Sequence, residues 1–390
     1  MRYNKKYKEE YESLIRPIKV VSQIVSIWPL ARNSGATKKL FRTYQFYAIV
    51  TMETVTVAAL ILDTIRHLHN MDAAIECALM STSFLLAAIR LLIYRAKQED
   101  MLYVVETMRS DWLNSPGQYV ETIRNKCLSG YRLSKFFIIS VYFTMLSFIF
   151  LPVLEMTLLN REAKNYPFHG DYYFFNETNS GSPIFECLYV FNSLSGAYGC
   201  SIISGATTFN LVTVIHASAK FSVVRRILED LKSQNPNARG ILRHCVKLHQ
   251  DAIIFADTCE RVINLLALMQ FITGTGMLCF AGFQLTAIIQ EKKNMIKYGA
   301  FLISATTELF IFSLSGQKLI DESVGVGDSA YNGAWSGCEI PKSLRIIMMR
   351  SRKNSKITAA KFYDMSFRSF TSVLSTSFSY LTMLLTIKNK

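Results

Sequence analysis

The chain has 390 residues, of which half are hydrophobic and only 18% are charged. Soluble domains carry closer to a quarter charged residues, and the apolar residues here fall in long blocks, so the composition argues against a soluble protein. The net charge of +14 is spread over the segments between these blocks, which argues against a nucleic-acid partner, and residues 1–16 contain no apolar core of a signal peptide.

A helix needs about 20 residues to cross the ~30 Å hydrocarbon core of a bilayer. Seven apolar stretches have that length, which predicts an all-α membrane protein with a single seven-helix domain over residues 1–390. The predicted spans are approximately 43–65, 73–94, 136–157, 187–219, 262–290, 298–317 and 362–387. Helical patterning continues into the basic segments 220–261 and 318–361, so these are predicted to extend the helices beyond the membrane.

The segments between the spans differ strongly in basic residues. The N-terminal segment and every second loop after it hold 31 Lys or Arg, against 7 in the alternate loops and the tail. By the positive-inside rule the N-terminus is predicted to be cytoplasmic and the C-terminus extracellular. Lys292, Lys293 and Lys297 are the local exception. G-protein-coupled receptors have the opposite orientation, and the sequence also lacks their Asp-Arg-Tyr and Asn-Pro-x-x-Tyr motifs.

A possible modification site lies in the loop 158–182, on the predicted outer side. Asn176 begins an Asn-Glu-Thr triplet, the acceptor motif for N-glycosylation. Such triplets also arise by chance. The sequence therefore predicts a glycoprotein modified at Asn176 only if the predicted orientation is correct.

Two acidic residues lie within predicted spans, Glu53 in the first and Glu308 in the sixth. A charge at the centre of a bilayer costs about 2.5–3.5 kcal/mol, so each is expected to face a partner or water. His216 and Gln284 are possible neighbours. Arg90 lies near the inner end of the second span, where its long side chain is expected to reach the interface.

Several motifs, taken in order, resemble the insect odorant receptor family. Ile27-Trp28-Pro29 before the first span is similar to the family's Trp-Pro element. The segment from Asp321 to Trp335 carries Glu-Ser, Ala-Tyr and Trp in the family's order. Lys356–Phe370 resembles the family's entry to the last helix, and Ser379–Leu385 resembles its end. The similarity is most specific over roughly the last 70 residues.

This resemblance implies a ligand-gated, non-selective cation channel in the plasma membrane, in the dendrite of olfactory sensory neurons. Four subunits would surround one pore, and this chain would be the odorant-binding subunit of a heterotetramer with a shared co-receptor. Its partners would be that co-receptor, a small volatile apolar ligand, membrane lipid and permeating cations. The cytoplasmic segments 220–261 and 318–361 would form the anchor region between subunits; a membrane-surface helix or a solvated loop over 343–353 is the alternative.

The last predicted span combines hydroxyl groups with apolar side chains, and either a pore wall or helix packing explains that pattern. By similarity to the family's last helix, Met383 falls at an apolar gate, with Thr386 one turn outward and Tyr380 one turn inward. The hydroxyl-bearing set is Ser369, Thr371, Ser372, Ser375, Thr376, Ser377, Ser379, Thr382 and Thr386.

The resemblance also places a ligand pocket in the outer half of the bundle, between the second, third, fourth and sixth spans. Aromatic and methionine side chains with few polar groups suit a small apolar ligand bound by shape. The ligand-binding candidates are Met80, Phe84, Ser147, Phe150, Leu154, Tyr189, Phe191, Tyr198, Ile202, Phe301 and Ala305. Ordinary packing between helices is the alternative for each of them.

The sequence carries no motif of catalysis or of cofactor or metal binding, so we expect no enzymatic activity. A gustatory-type homotetrameric receptor channel is the first alternative, although the tail lacks that family's Thr-Tyr-hydrophobic-x-x-x-Gln-Phe ending. A transporter is less favoured, because the chain shows no repeated halves and, apart from Pro152 near the end of the third span, no Gly/Pro-broken spans.

Overall fold

The computed structural model describes residues 2–158, 166–167, 182–231, 238–287, 292–333 and 342–388. Within these ranges the chain forms ten helices and one two-stranded antiparallel sheet. The elements are α1 (Arg2–Ile24), α2 (Ala36–Arg66), α3 (Met71–Ala96), α4 (Gln98–Asn114), α5 (Gly117–Leu158), α6 (Ile184–Asp230), α7 (Ala238–Ala287), α8 (Lys292–Tyr331), α9 (Lys342–Ser351), β1 (Thr358–Ala359), β2 (Tyr363–Asp364) and α10 (Phe367–Lys388).

Seven of these helices, α2, α3, α5, α6, α7, α8 and α10, are long and apolar enough to cross a membrane. They correspond in order to the seven predicted spans, which confirms the all-α, seven-span prediction. Several are much longer than the bilayer requires, since the 47 residues of α6 extend over about 70 Å at ~1.5 Å per residue. The excess length projects from one side of the bundle, as the helical patterning of the inner segments predicted.

The projecting ends of α5 to α8 form a helical body together with α1 and α4, two helices that the sequence did not predict. Its interior contains the fully buried side chains of Ile18, Trp112, Tyr131 and Phe221. Helix α1 approaches α6 closely, because a Cβ placed on Gly205 would lie 3.3 Å from the Cα of Ser22. This body continues the apolar core of the spans without a break.

A polar cluster fastens α4 to α6 inside this body. The Asp111 carboxylate lies 2.9 Å from Nε2 of His216 and 2.8 Å from Nζ of Lys220. Burial opposes ionisation of Asp111, but the hydrogen bonds and charges of His216 and Lys220 outweigh that effect and lower its pKa. His216 therefore has Asp111 as its partner and not one of the intramembrane acids.

The seventh span begins later than predicted, because residues before Phe367 form a β-hairpin. Thr358 pairs with Asp364 across it, and the turn holds Ala360 and Lys361 at φ of 46° and 66°. Left-handed conformations cost these residues roughly 1–2 kcal/mol each, so the hairpin depends on outside support. Glu260 of α7 supplies it by accepting from the Thr358 backbone N–H at 2.8 Å and from its hydroxyl at 2.5 Å.

The turn between this hairpin and α10 also packs closely on α8. A Cβ placed on Gly316 would lie 2.3 Å from the carbonyl oxygen of Met365. No side chain larger than hydrogen fits there without moving backbone. Glycine at 316 is thus what allows the entry to α10 to lie against α8.

Candidate functional site: an internal cavity and an exposed helix face

A cavity of about 90 Å³ lies between α3, α5, α6 and α8, and Met277 of α7 also lines it. Its wall is almost entirely apolar and rich in aromatic and methionine side chains. Glycines 196 and 199, one helical turn apart on α6, leave the space that larger residues would fill. The main lining side chains are Met80, Phe84, Phe137, Thr144, Phe148 and Phe301.

The few hydroxyl groups in the cavity wall are already hydrogen-bonded. Thr144 and Ser304 bond each other at 3.0 Å, and Ser83 donates to the carbonyl oxygen of Leu79 at 2.9 Å. The hydrogen bonds of these hydroxyl groups are thus made within the protein and not to a ligand. The wall therefore selects a ligand chiefly by shape and dispersion.

At one end the cavity meets a buried ionic cluster centred on Glu308 of α8. Its carboxylate lies 2.7 Å from Nη1 of Arg90 and accepts from Thr207 at 2.5 Å and from Gln270 at 3.2 Å. Arg90 also donates to the side-chain oxygen of Gln270. The cluster joins α3, α6, α7 and α8 through one carboxylate, and both charged side chains are almost completely buried.

This cluster changes two expectations for the intramembrane charges. Glu308 pairs with Arg90, which does not extend to the interface because it is fully buried between helices. Gln284 contacts neither acid and instead donates to the backbone carbonyl of Asp72 at 2.6 Å. Glu53 has no hydrogen-bond partner for either carboxylate oxygen among the described residues. Charge pairing between spans could be predicted, but not the choice of partner.

Four of the eleven predicted ligand residues border the cavity: Met80, Phe84, Phe301 and Ala305. The α5 candidates do not. Ser147, Phe150 and Leu154 instead line a separate outward-facing groove, and Phe150 is 61% exposed. These three residues do share one helix face, as predicted, but α5 turns a different face to the cavity.

The face of α5 that borders the cavity carries Phe137, Val141, Thr144 and Phe148, spaced by four, three and four residues. That spacing is as helical as the predicted set. Periodicity alone therefore could not select between the two faces. Thr144, the polar residue in an apolar stripe, was the available signal.

On α6 the predicted aromatic residues also lie away from the cavity. Tyr189 donates to the carbonyl oxygen of Ile149 at 2.6 Å, Tyr198 packs partly buried on the main core, and Ile202 is fully buried within it. Phe191 is half-buried outside the lining. The α6 residues that line the cavity are Gly196, Gly199, Cys200 and Ile203, and a search for large aromatic side chains does not find them.

Helix α10 turns one face to its own chain and leaves the other exposed. Val373 and Ser377 are buried, and the Ser377 hydroxyl donates to the carbonyl oxygen of Thr275 on α7 at 3.2 Å. Met383 is 60% exposed. The exposed face carries hydroxyl groups at successive spacings of three and four residues: Ser372, Ser375, Ser379, Thr382 and Thr386.

Helical geometry puts those five residues on one stripe, roughly opposite Val373 and Ser377. Met383 lies at one edge of the stripe, about 20° beyond Ser372, and Tyr380 lies about 80° beyond Ser372, next to the side of Val373. Thr382 and Thr386 donate to carbonyl oxygens of their own helix at 2.9 and 2.8 Å. The hydroxyls of the stripe therefore do not join α10 to the described helices around it.

The far end of α10 is tied to the start of α3. Lys388 contacts the Asp72 carboxylate at 2.6 Å, and its ammonium group also lies 5.2 Å from the ring centroid of Phe283. The end of the last span thus lies on the same side as the loop between the first two, as seven alternating spans require. Asn176 and Trp335 lie outside the described residues.

The fold and the cavity together define a seven-helix membrane protein with an apolar cavity between its helices. Residues 70–378 match the family described as 7tm Odorant receptor, and because the match covers most of the chain, the chain belongs to that family. Its members are ligand-gated ion channels and not enzymes, and they bind small odorants and work with a co-receptor.

Individual relatives agree with this assignment. Odorant receptor Or2 of Anopheles gambiae is 27% identical over 48% of this chain, and this chain spans about half of it, 51%. Odorant receptor 13a of Drosophila melanogaster is 25% identical over 97% of both chains. The olfactory receptor OR5 from Machilis hrabei, solved in complex with eugenol, shares the fold with a TM-score of 0.83 at 16% identity, over 97% of this chain and all of that one.

Proposed function

We propose that this chain is the odorant-binding subunit of a ligand-gated, non-selective cation channel. It assembles with a shared co-receptor in the plasma membrane of olfactory dendrites, as a heterotetramer around a pore lined by α10. The single observation that carries the proposal is the exposed hydroxyl stripe of α10, which lies opposite the face that packs on α7. The chain belongs to a family whose members are ligand-gated ion channels, and this supports the proposal.

The stripe suits a pore wall for a physical reason. Hydroxyl groups can contact the water around a permeating ion, and an apolar ring can close the path by excluding water. Met383 is an exposed apolar side chain at the edge of the stripe, so we assign it to the gate, with Thr386 outward and Tyr380 inward of it. A helix that faced only lipid would need no hydroxyl stripe.

The cavity is the proposed odorant site. It lies between the helices that carry Met80, Phe84, Phe148 and Phe301, and its wall offers dispersion contacts with few free polar groups. The structurally similar receptor from Machilis hrabei was solved with eugenol, a small and largely apolar molecule. We propose that this chain binds a volatile ligand of similar or smaller size.

The test is electrical. The full chain is expressed with the co-receptor in cells and exposed to a panel of volatile compounds, and we expect ligand-evoked cation current. Cells expressing the co-receptor alone serve as the control. Tags on the two termini report orientation: the C-terminal tag should stain intact cells and the N-terminal tag should not. Reversed staining, or absence of current despite surface assembly, would contradict the proposal.

A further inference from the structure

Glu53 is a buried acidic side chain of the bundle whose role the described contacts do not explain. It lies in α2, its exposure is 0%, and neither carboxylate oxygen has a hydrogen-bond partner among the described residues. An unpaired carboxyl group inside a membrane protein is costly, whereas Glu308 has three donors to offset that cost. A buried carboxyl group without a donor in the described part of the chain points to a hydrogen-bond donor on another molecule.

The position of Glu53 connects it to the cavity. A Cβ placed on Gly199 would lie 3.7 Å from Oε2 of Glu53 and 3.2 Å from the ring of Phe84. Gly199 and Phe84 both line the cavity, whereas Glu53 is not part of the lining. The carboxyl group therefore lies just behind the wall at Gly199, next to the Phe84 ring.

The cavity also needs more room before a ligand can enter. Its volume of about 90 Å³ is below the ~150 Å³ of a protein cavity that holds benzene. Displacement of the Phe84 ring would both enlarge the cavity and bring it into contact with Glu53. The other polar groups of the wall have partners already, so Glu53 has the unused bonding capacity.

We propose that Glu53 is a specificity-determining residue that accepts a hydrogen bond from a ligand carrying one donor group, an amine or an alcohol. The Phe84 ring moves aside to admit that group past Gly199, and the apolar part of the ligand occupies the cavity. The inference rests on the proposed ligand-binding function and narrows its ligand class. A ligand without a donor would leave the carbonyl oxygen of the Glu53 carboxyl group unpaired and bind more weakly.

The test measures binding directly and so does not depend on channel current. Purified full-length protein is heated with n-butylamine, n-butanol or methyl propyl ether, which have the same number of heavy atoms, and with longer pairs of the same kind. The readout is the ligand concentration that raises the melting temperature by a fixed amount. The variants are Glu53→Leu, which removes the acceptor, and Glu53→Gln, which keeps an amide oxygen. The control is Thr54→Val, a neighbouring change on the exposed side of α2.

We expect the unsubstituted protein and Thr54→Val to prefer a donor compound over its ether by roughly 10-fold, the value of one buried hydrogen bond. Glu53→Leu should abolish that preference while raising the melting temperature without ligand, because an unpaired buried group is gone. Glu53→Gln should still prefer the alcohol over the ether but should no longer prefer the amine over the ether. A higher affinity for the amine than for the alcohol identifies an ammonium ligand. Equal affinities, or a higher affinity for the alcohol, identify a hydroxyl ligand.

Three results would overturn the assignment: equal affinity of ether and donor compounds, an unchanged preference in Glu53→Leu, or no stabilisation by any donor compound. Failure of the channel proposal looks different, since the protein would then bind donor compounds and conduct no current with the co-receptor. Conversely, a channel opened only by ethers and hydrocarbons would keep the proposed function and remove Glu53 from it.

Discussion

Helices α6 and α10 have equal mean hydropathy but opposite surroundings. In their most apolar windows 89% of α6 is buried within the chain, against 11% of α10. Helix α6 is enclosed on all sides by α1, α3, α5, α7 and α8, whereas α10 contacts mainly α7 and α8. Apolar composition therefore selects a membrane helix without saying whether it faces its own chain, lipid or another subunit.

The polar groups of the two helices show the same difference. On α6, Thr207 donates to Glu308 of α8, and Asn210 accepts from Tyr94 of α3 at 2.7 Å. On α10, the stripe hydroxyls Thr382 and Thr386 bond to their own helix. Polar residues of α6 hold the bundle together, whereas the stripe hydroxyl groups of α10 are exposed and make no described bond to another helix. Substitutions should separate these two roles.

The largest effect is expected at the buried centre beside α6. Arg90→Met leaves the Glu308 carboxylate buried without its cation, which should reduce the free energy of unfolding by about 3–5 kcal/mol. The measurement is surface expression together with the melting temperature of the purified protein. Arg90→Met with Glu308→Leu should recover much of the loss, because no unpaired charge is left. Equal stability of the single and double variants would show that the charge pairing does not matter.

The next effect should fall at the entry to α10. Gly316→Ala places a methyl group against the Met365 carbonyl and should cost about 1–3 kcal/mol by forcing backbone movement. Gly299→Ala on the same helix is the matched control, because no atom lies within 4 Å of its added Cβ. The control should be neutral or slightly stabilising. Equal melting temperatures for the two variants would mean that α10 is not held at its start.

At the exposed face, function and stability should separate. Met383→Ser should alter the free energy of unfolding by no more than about 0.5 kcal/mol, because the side chain is mostly exposed. The same change should raise basal current through a gate that no longer excludes water. Phe378→Ser is the control: it is equally exposed and lies at the opposite edge of the stripe, about 140° around the helix from Met383. Basal current that rises equally in both variants would remove Met383 from the gate.

The smallest effect is expected at the outer end. Asp72→Asn removes the partner of Lys388 and leaves a positive charge near the proposed mouth. A unit charge ~8 Å from a cation in water costs about 0.5 kcal/mol, so single-channel conductance should fall about twofold. Adding Lys388→Gln should restore it. If neither substitution alters the single-channel conductance, this ion pair lies away from the ion path.

The sequence was sufficient for the seven spans and for the helical extensions of α6, α7 and α8, because length and periodicity are local properties. It was not sufficient for the partner of a buried charge. Glu308 and Arg90 are 218 positions apart and meet only when α3 and α8 pack. The orientation of the termini and the glycosylation of Asn176 stay predictions.

The cavity and the hairpin were harder to predict for a related reason. Both faces of α5 have helical spacing, so Phe150 and Phe148 could be distinguished only by their neighbours. The residues Thr358–Asp364 form a hairpin because Glu260 of α7 binds Thr358, a contact between distant parts of the chain. The missed cavity residues Gly196 and Gly199 matter for the space that they leave, which no pattern of large side chains reveals.

The hairpin beneath α10 and the Lys388–Asp72 contact above it together restrict how that helix can move. Its lower end is fastened to α7 through Glu260, and its upper end is fastened to α3. A helix attached at both ends cannot move sideways at its ends, but it can rotate about its axis or bend in the middle. Hydroxyls bonded to the preceding turn favour bending. The middle of the stripe, around Ser375 and Ser379, lies on the bending segment, so a change of curvature moves these hydroxyl groups more than it moves Met383 near the attached end.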